Sequence, residues 1–248
     1  MFDDLKNKIV VVTGGVTGIG GAASLGFAKA GSMVLAQYLA GGDEMKAIEA
    51  AGITTLKLDL TAQGAPQELI DVAMKKFGRI DVLVNNAGSL VARTNLDALT
   101  DEFIDRVFDL NCRQLVHCCR IGADIMKKQM SGNIINVTSI AARNGGSPGA
   151  SVYAGAKGFV SAFTKTIARE LVDFNIRVNC VSPGTIHTAF HDRFSTAEKR
   201  AATAKSIPMQ RLGVADDCTG TFLYLASDQA SSYVTGQILE VNGGQLMP

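Results

Sequence analysis

Seven short runs of apolar, mostly β-branched residues recur along the chain, at 9–13, 33–37, 54–58, 82–85, 133–138, 176–181 and 238–241. Most are apolar at consecutive positions, as a strand must be when helices cover both faces of its sheet. Amphipathic stretches at 19–30, 43–51, 66–77, 101–130, 151–174 and 215–226 separate them. Regular strand–helix alternation predicts a doubly wound α/β fold, with parallel strands and helices on both faces. No linker, repeat or low-complexity tract interrupts residues 1–248, so one domain is expected. The rhythm lapses once, at about 185–208. A long excursion after a strand is either a lid over a binding site or a surface insertion.

Charge narrows the functional classes. The net charge is +1, with no basic run and no interleaving of basic and aromatic residues, so no nucleic-acid partner is expected. No apolar stretch approaches the ~20 residues that span a bilayer, so no membrane partner is expected either. The acidic start, Met1-Phe2-Asp3-Asp4, runs almost directly into a strand and does not read as a secretory leader. The five cysteines (Cys112, Cys118, Cys119, Cys180 and Cys218) are odd in number and lack metal-type spacing. They argue against a disulfide framework and a zinc site, and no metal is expected. A cytoplasmic protein follows as the expectation.

Two motifs carry chemistry. The first strand runs into Thr13-Gly14-Gly15-Val16-Thr17-Gly18-Ile19-Gly20, at the start of a helical stretch. Glycines let the backbone turn sharply and approach a pyrophosphate, and the helix N-terminus offers free N–H groups. Further on, Tyr153 and Lys157 lie one helical turn apart on a common face, with Ser139 fourteen residues upstream of the tyrosine. A free phenol titrates near pH ~10 and transfers protons poorly at neutrality; an adjacent ammonium lowers that value and makes it a usable acid/base.

The glycine-rich turn, Asn85-Asn86-Ala87-Gly88, Asn111, Ser139, Tyr153-Ala154-Gly155-Ala156-Lys157 and Pro183-Gly184 occur in one order and spacing. In this the chain resembles a classical short-chain dehydrogenase/reductase, from about Lys6 to the closing Val241-Asn242-Gly243-Gly244. The resemblance implies a single-domain Rossmann fold with a seven-stranded parallel sheet. It also implies an NAD or NADP cofactor and a homotetramer or dimer. It implies catalytic roles for Asn111, Ser139, Tyr153 and Lys157. Ser139 would hold the substrate oxygen, Tyr153 would exchange its proton, and Lys157 would tune the phenol and bind the nicotinamide ribose. Asn111 would hold a water that relays protons from Lys157. The same resemblance places the dinucleotide against Gly14, Thr17, Gly18, Ile19, Gly20, Gln37, Asp59, Leu60, Asn86, Ala87 and Gly88, and against Tyr153, Lys157, Pro183, Gly184, Ile186 and Thr188. Asp59 reads equally as a cap, and Asn85 as part of an ordinary turn.

The implied reaction is hydride transfer between the dinucleotide and a secondary alcohol or ketone, with polyols, sugars and sugar acids among the candidate small-molecule substrates. A 3-oxoacyl-thioester reductase is a variant of the same chemistry. A non-catalytic dinucleotide sensor would be expected to lose Ser139, Tyr153 or Lys157, and all are present. The second strand ends Gln37-Tyr38-Leu39-Ala40, without a cation to meet a 2′-phosphate, which favours NAD. For substrate, Arg143 and Asn144 lie just past Ser139, and His187, Phe190 and His191 lie in the excursion. Arg143 either clamps a carboxylate or phosphate of the substrate, or faces solvent or a neighbouring subunit. The two histidines either meet a polar substrate or are plain loop residues.

Overall fold

β1 (Ile9–Thr13) is buried at every position, and so are β4 (Val82–Asn85) and β6 (Ile176–Pro183). Their burial on both faces is what consecutive apolar residues require. With β2 (Met33–Tyr38), β3 (Thr54–Lys57), β5 (Gly132–Val137) and β9 (Ile238–Val241) they form one parallel sheet in the order β3-β2-β1-β4-β5-β6-β9. The edge strands β3 and β9 are only partly covered. The computed structural model describes residues 2–188 and 193–247.

Two apolar layers hold helices against this sheet. On one face α3 (Ala65–Phe77), α5 (Gln114–Gln129) and α7 (Ser151–Leu171) bring Leu69, Leu115, Met126 and Val160 against β1, β4 and β5. On the other, α1 (Gly18–Lys29) and α9 (Asp216–Ala226) bury Phe27 and Phe222 completely. Each such phenylalanine contributes about 2–3 kcal/mol through the apolar surface it removes from water. The short helices α2 (Met45–Ala50), α6 (Ala141–Asn144) and α10 (Asp228–Ser231) complete the connections.

The chain enters the sheet at its centre, builds outward through β2 and β3, then returns to place β4 on the other side of β1. Thr13 and Asn85 are register partners at the carboxyl ends of those two strands. A crevice opens at such a reversal, and open α/β sheets bind ligands there.

The structure departs from the sequence expectation over residues 101–130. The stretch at 101–130 is not one helix. It divides into α4 (Asp101–Phe108), a π turn (Asp109–Arg113) and α5. Asn111 lies in that turn and its amide donates to the Val107 carbonyl at 2.9 Å. A side chain bonded to the carbonyl four residues back competes with the helical ladder and widens it locally. Within the excursion at 185–208 the described residues form further elements. β7 (Ile186–His187) pairs with β8 (Gly213–Val214), and α8 (Ala197–Ser206) lies between them in sequence, capped by the Thr196 hydroxyl. Among the described residues no helix is long and apolar enough to cross a membrane.

Candidate active site

The turn after β1 is shaped by residues that reach it from β2 and β4. Gly14 and Gly18 adopt φ of +59° and +54°, a left-handed conformation that other residues rarely enter. The Thr13 hydroxyl accepts the N–H groups of Asn86 and Ala87 at 2.9 and 3.0 Å. The Asn86 amide donates in return to the carbonyls of Thr13 and Gly14. A Cβ on Gly20 would overlap both the Gly14 carbonyl and that amide, so the turn closes tightly onto α1 only with glycine there.

Gln37 is buried behind this turn. Its side-chain oxygen accepts the Gly14 N–H at 2.9 Å and its amide donates to the Leu58 carbonyl at 2.6 Å. It does not line the cavity, which corrects the expectation that it faces the adenosine ribose. Asp59 is exposed, accepts both the backbone N–H and the hydroxyl of Thr61, and is held below its ordinary value by those bonds. Neither Asp59 nor Leu60 lines this cavity, and Asp59 caps no helix: it closes a turn onto Thr61, and the next helix, α3, begins only at Ala65.

A single cavity of about 490 Å³ runs from Gly14, Thr17, Gly18 and Ile19 past Asn86, Ala87 and Gly88 to Ser139, Tyr153 and Lys157. Pro183, Gly184, Ile186 and Thr188 also line it. Its lining, from the glycine-rich turn at the start of α1 to Tyr153 and Lys157, fits an extended dinucleotide. Cβ atoms at Gly14 and Gly88 would crowd Asn86, Asn111 and Lys157 at 2.7–3.0 Å, so glycine is needed for this wall to close. Gly20 lies behind this surface.

At the far end, the Ser139 hydroxyl and the Tyr153 phenol are hydrogen-bonded to each other. Ser139 also accepts the Ala141 N–H at 3.1 Å, which fixes its hydroxyl at the start of α6. Lys157 is 3% exposed; its ammonium donates to the Val137 carbonyl at 2.9 Å and lies 5.7 Å from the centroid of the Tyr153 ring. Burial lowers this ammonium to about 8. Burial also pushes the Tyr153 phenol up to about 12, against the Ser139 hydrogen bond that favours the phenolate. This corrects the expectation that the neighbouring cation dominates: the apolar surroundings win, and the phenol carries its proton at neutral pH.

Asn111 is fully buried, and its side chain is committed to Ser89 N–H, Ser89 carbonyl and Val107 carbonyl. It touches the cavity wall only from behind Gly88. Arg143 does not enter the cavity; it pairs with Glu240 at 3.3 Å, which corrects its reading as an anion clamp. Asn144 lines the cavity and accepts the Gly146 N–H. His187 is exposed and outside the lining. Phe190 and His191 lie outside the described residues.

Among the lining residues not singled out from the sequence are Arg93, Arg200, Thr203 and Gln245, Arg200 and Thr203 entering from the 185–208 excursion. No motif surrounds the first three, and only contacts over long sequence separations bring them in. Gln245 follows the closing Gly243-Gly244 and accepts from the Thr185 N–H and hydroxyl, which was the available hint. Among the described residues no group of three or more His, Cys, Asp or Glu side chains could hold a metal ion.

Residues 14–245 match the family model described as enoyl-(acyl carrier protein) reductase. The chain belongs to the short-chain dehydrogenase/reductase family. It is accordingly an NAD(P)-dependent oxidoreductase acting on hydroxyl and keto groups. The chain is 38% identical to 3beta-hydroxysteroid dehydrogenase 1 of Eggerthella lenta, over 100% of this chain and 97% of that protein. It is 36% identical to the 3-oxoacyl-[acyl-carrier-protein] reductase FabG of Thermotoga maritima, over 97% and 98% of the two chains. Among solved structures, the NADH-dependent reductase A1-R' complexed with NAD superposes with a TM-score of 0.88 at 34% identity, covering 100% of both chains.

Proposed function

We propose that this chain interconverts a secondary alcohol and a ketone, with Tyr153 as the proton donor and acceptor and NAD as the preferred dinucleotide. The observation that carries this is the Ser139–Tyr153 hydrogen bond at the wall of a cavity that begins at the glycine-rich turn. Two hydroxyls already at hydrogen-bond distance can converge on one substrate oxygen. Ser139 steadies that oxygen as its charge changes. Tyr153, proton-loaded at neutral pH, delivers its proton to the carbonyl oxygen in reduction and withdraws it in oxidation. Lys157, anchored to the Val137 carbonyl, supplies a positive charge beside the ring at neutral pH. When bound, the dinucleotide supplies or accepts the hydride at its nicotinamide ring. Gly14, Thr17, Gly18 and Ile19 would hold its pyrophosphate against the N-terminus of α1. Ile186 and Thr188 would line the nicotinamide end.

NAD is favoured by the charges near the glycine-rich turn. Glu44 accepts the Gly18 N–H at 3.4 Å, beside the Thr17 methyl group. A second phosphate on the ribose would meet this negative charge with no cation from Gln37-Tyr38-Leu39-Ala40 to offset it. The segment 185–208 would act as a lid, since Ser195, Arg200 and Thr203 line the cavity from it. The exposed Phe108 on α4 and the stacked Phe159 and Phe163 on α7 suit association into a homodimer or homotetramer in the cytoplasm.

The test is a spectrophotometric screen at 340 nm with NADH and NADPH against ketones that include sugar acids, oxo acids, steroids and 3-oxoacyl thioesters. Turnover with NADH above NADPH supports the reading. Dinucleotide binding with no turnover across the panel would overturn it.

A further inference from the structure

Asn136 and Val137 end β5, Thr138 and Ser139 follow them, and each of the four is hydrogen-bonded to α7. The Asn136 amide donates to the Thr164 hydroxyl at 2.9 Å. The Val137 carbonyl accepts the Lys157 ammonium, and the Thr138 hydroxyl donates to the Lys157 backbone carbonyl at 2.7 Å. Ser139 meets the Tyr153 phenol. Four consecutive residues thus step along one face of α7, from Thr164 through Lys157 to Tyr153.

Lys157 is gripped twice, through its ammonium and through its backbone. The second grip fixes where the helix sits, because an ammonium on a flexible four-carbon stem can follow a moving partner and a backbone carbonyl cannot. Thr138 is itself immobilised: it is buried, and its N–H donates to the Val181 carbonyl of β6 at 2.9 Å. Its hydroxyl lies 2.8 Å from that of Ser161, which donates to the same Lys157 carbonyl at 3.0 Å. Ser161 belongs to α7 and ties the helix only to itself, so the cross-link from this carbonyl to the strand is made by Thr138. From the π turn, the Cys112 thiol donates to the adjacent Ala156 carbonyl at 3.4 Å.

Apolar packing presses α7 onto the sheet but has no direction, so sliding and rotation of the helix are restrained by directional bonds. Ser139 and Tyr153 must converge on one substrate oxygen, and a displacement of about 1 Å can cost about a hundredfold in rate. We infer that Thr138 is a positioning residue for the hydride transfer: by holding the Lys157 carbonyl, its hydroxyl keeps Tyr153 and Lys157 in register with Ser139. This rests on the hydride-transfer reading above. Thr138 lines the cavity, but its one hydroxyl proton is committed to that carbonyl, so it acts through α7 and not on the substrate.

The experiment compares full-length wild type with Thr138→Val, Thr138→Ser and Thr164→Val in NADH-dependent reduction of a ketone taken from the 340 nm screen. Thr138→Val keeps the shape and removes the hydroxyl. It is expected to lower kcat by about tenfold to a hundredfold, with KM for the ketone and NADH affinity within about threefold. Thr138→Ser keeps the hydroxyl and is expected to hold kcat within about threefold of wild type. Thr164→Val removes the acceptor of the Asn136 bond at the same interface, two turns beyond Lys157. It is expected to lower the melting temperature and leave kcat within about twofold. NADH binding by fluorescence checks that each variant is folded; should Thr138→Val not fold, Thr138→Ala takes its place with the same expected loss. Wild-type kcat in Thr138→Val would overturn the inference, and so would an equal loss in Thr138→Ser or Thr164→Val. Each of these results leaves the hydride-transfer reading standing. If wild type binds NADH yet reduces no ketone in the screen, the hydride-transfer reading fails and this inference with it.

Discussion

Lys157 donates to the backbone carbonyl of Val137 at 2.9 Å, which anchors the catalytic face of α7 to the end of β5. The same burial that makes this bond strong disfavours the charge it depends on.

That conflict has a pH signature. Burial lowers Lys157 from 10.5 to about 8, so between those values the unfolded chain binds more protons than the folded one. The burial penalty is complete below about pH 8 and is relieved as pH rises toward 10.5. It corresponds to about 3 kcal/mol. Lys157→Met lacks the penalty, so its melting temperature relative to wild type should drop by about 5 °C between pH 7 and pH 9.5. Calorimetry at the two pH values measures this, and a constant difference would show that the ammonium is not strained by burial.

The Tyr153 phenol, pushed up to about 12, stays protonated in the folded chain throughout the working range. Ketone reduction should then hold its kcat/KM from pH 6 up to the Lys157 titration at about 8 and fall above it, while alcohol oxidation, which needs a proton acceptor, should rise from pH 6 toward that value. Tyr153→Phe should lower both by about a thousandfold or more and leave NADH affinity within about threefold. Substantial residual turnover in that variant would contradict the assignment of Tyr153.

Dinucleotide choice should respond to Glu44 more than to Gln37, because Gln37 is committed to Gly14 and Leu58. Glu44→Arg replaces the carboxylate beside Gly18 with a phosphate-binding group. It should raise kcat/KM with NADPH relative to NADH by about tenfold or more. Steady-state kinetics with both dinucleotides decide it, and an unchanged ratio would place the discrimination elsewhere.

Two glycines in helices should behave oppositely. A Cβ at position 20 overlaps the Gly14 carbonyl and the Asn86 amide. Gly20→Ala should therefore weaken NADH binding and cost about 1–3 kcal/mol of stability. A Cβ on Gly155, inside α7, meets no heavy atom within 4 Å. Gly155→Ala should stabilise by about 1 kcal/mol, the ordinary gain of alanine over glycine in a helix. Thermal melts and NADH titrations report both. Destabilisation of the second variant would reveal another subunit packed closely on that face of α7.

Ile9–Thr13 and Val82–Asn85 were legible as strands because burial on both faces forces an unbroken apolar run, a local constraint. The glycine-rich turn and the Tyr153–Lys157 spacing were equally local, since a tight turn and a helical repeat are written in consecutive residues. The sequence by itself therefore determined the alternating fold, the glycine-rich turn and the family chemistry. Tertiary structure alone decided which side chains enter the crevice at the β1–β4 reversal. Gln37 left it for the Gly14 backbone and Arg143 for Glu240, while Arg93 arrived from the loop after β4 and Arg200 from α8, more than a hundred residues apart. Competing hydrogen-bond and charge partners settle such positions, and those partners come together only when distant segments pack. The direction of the Tyr153 shift was decided the same way, because the apolar enclosure that raises it is assembled by the whole fold.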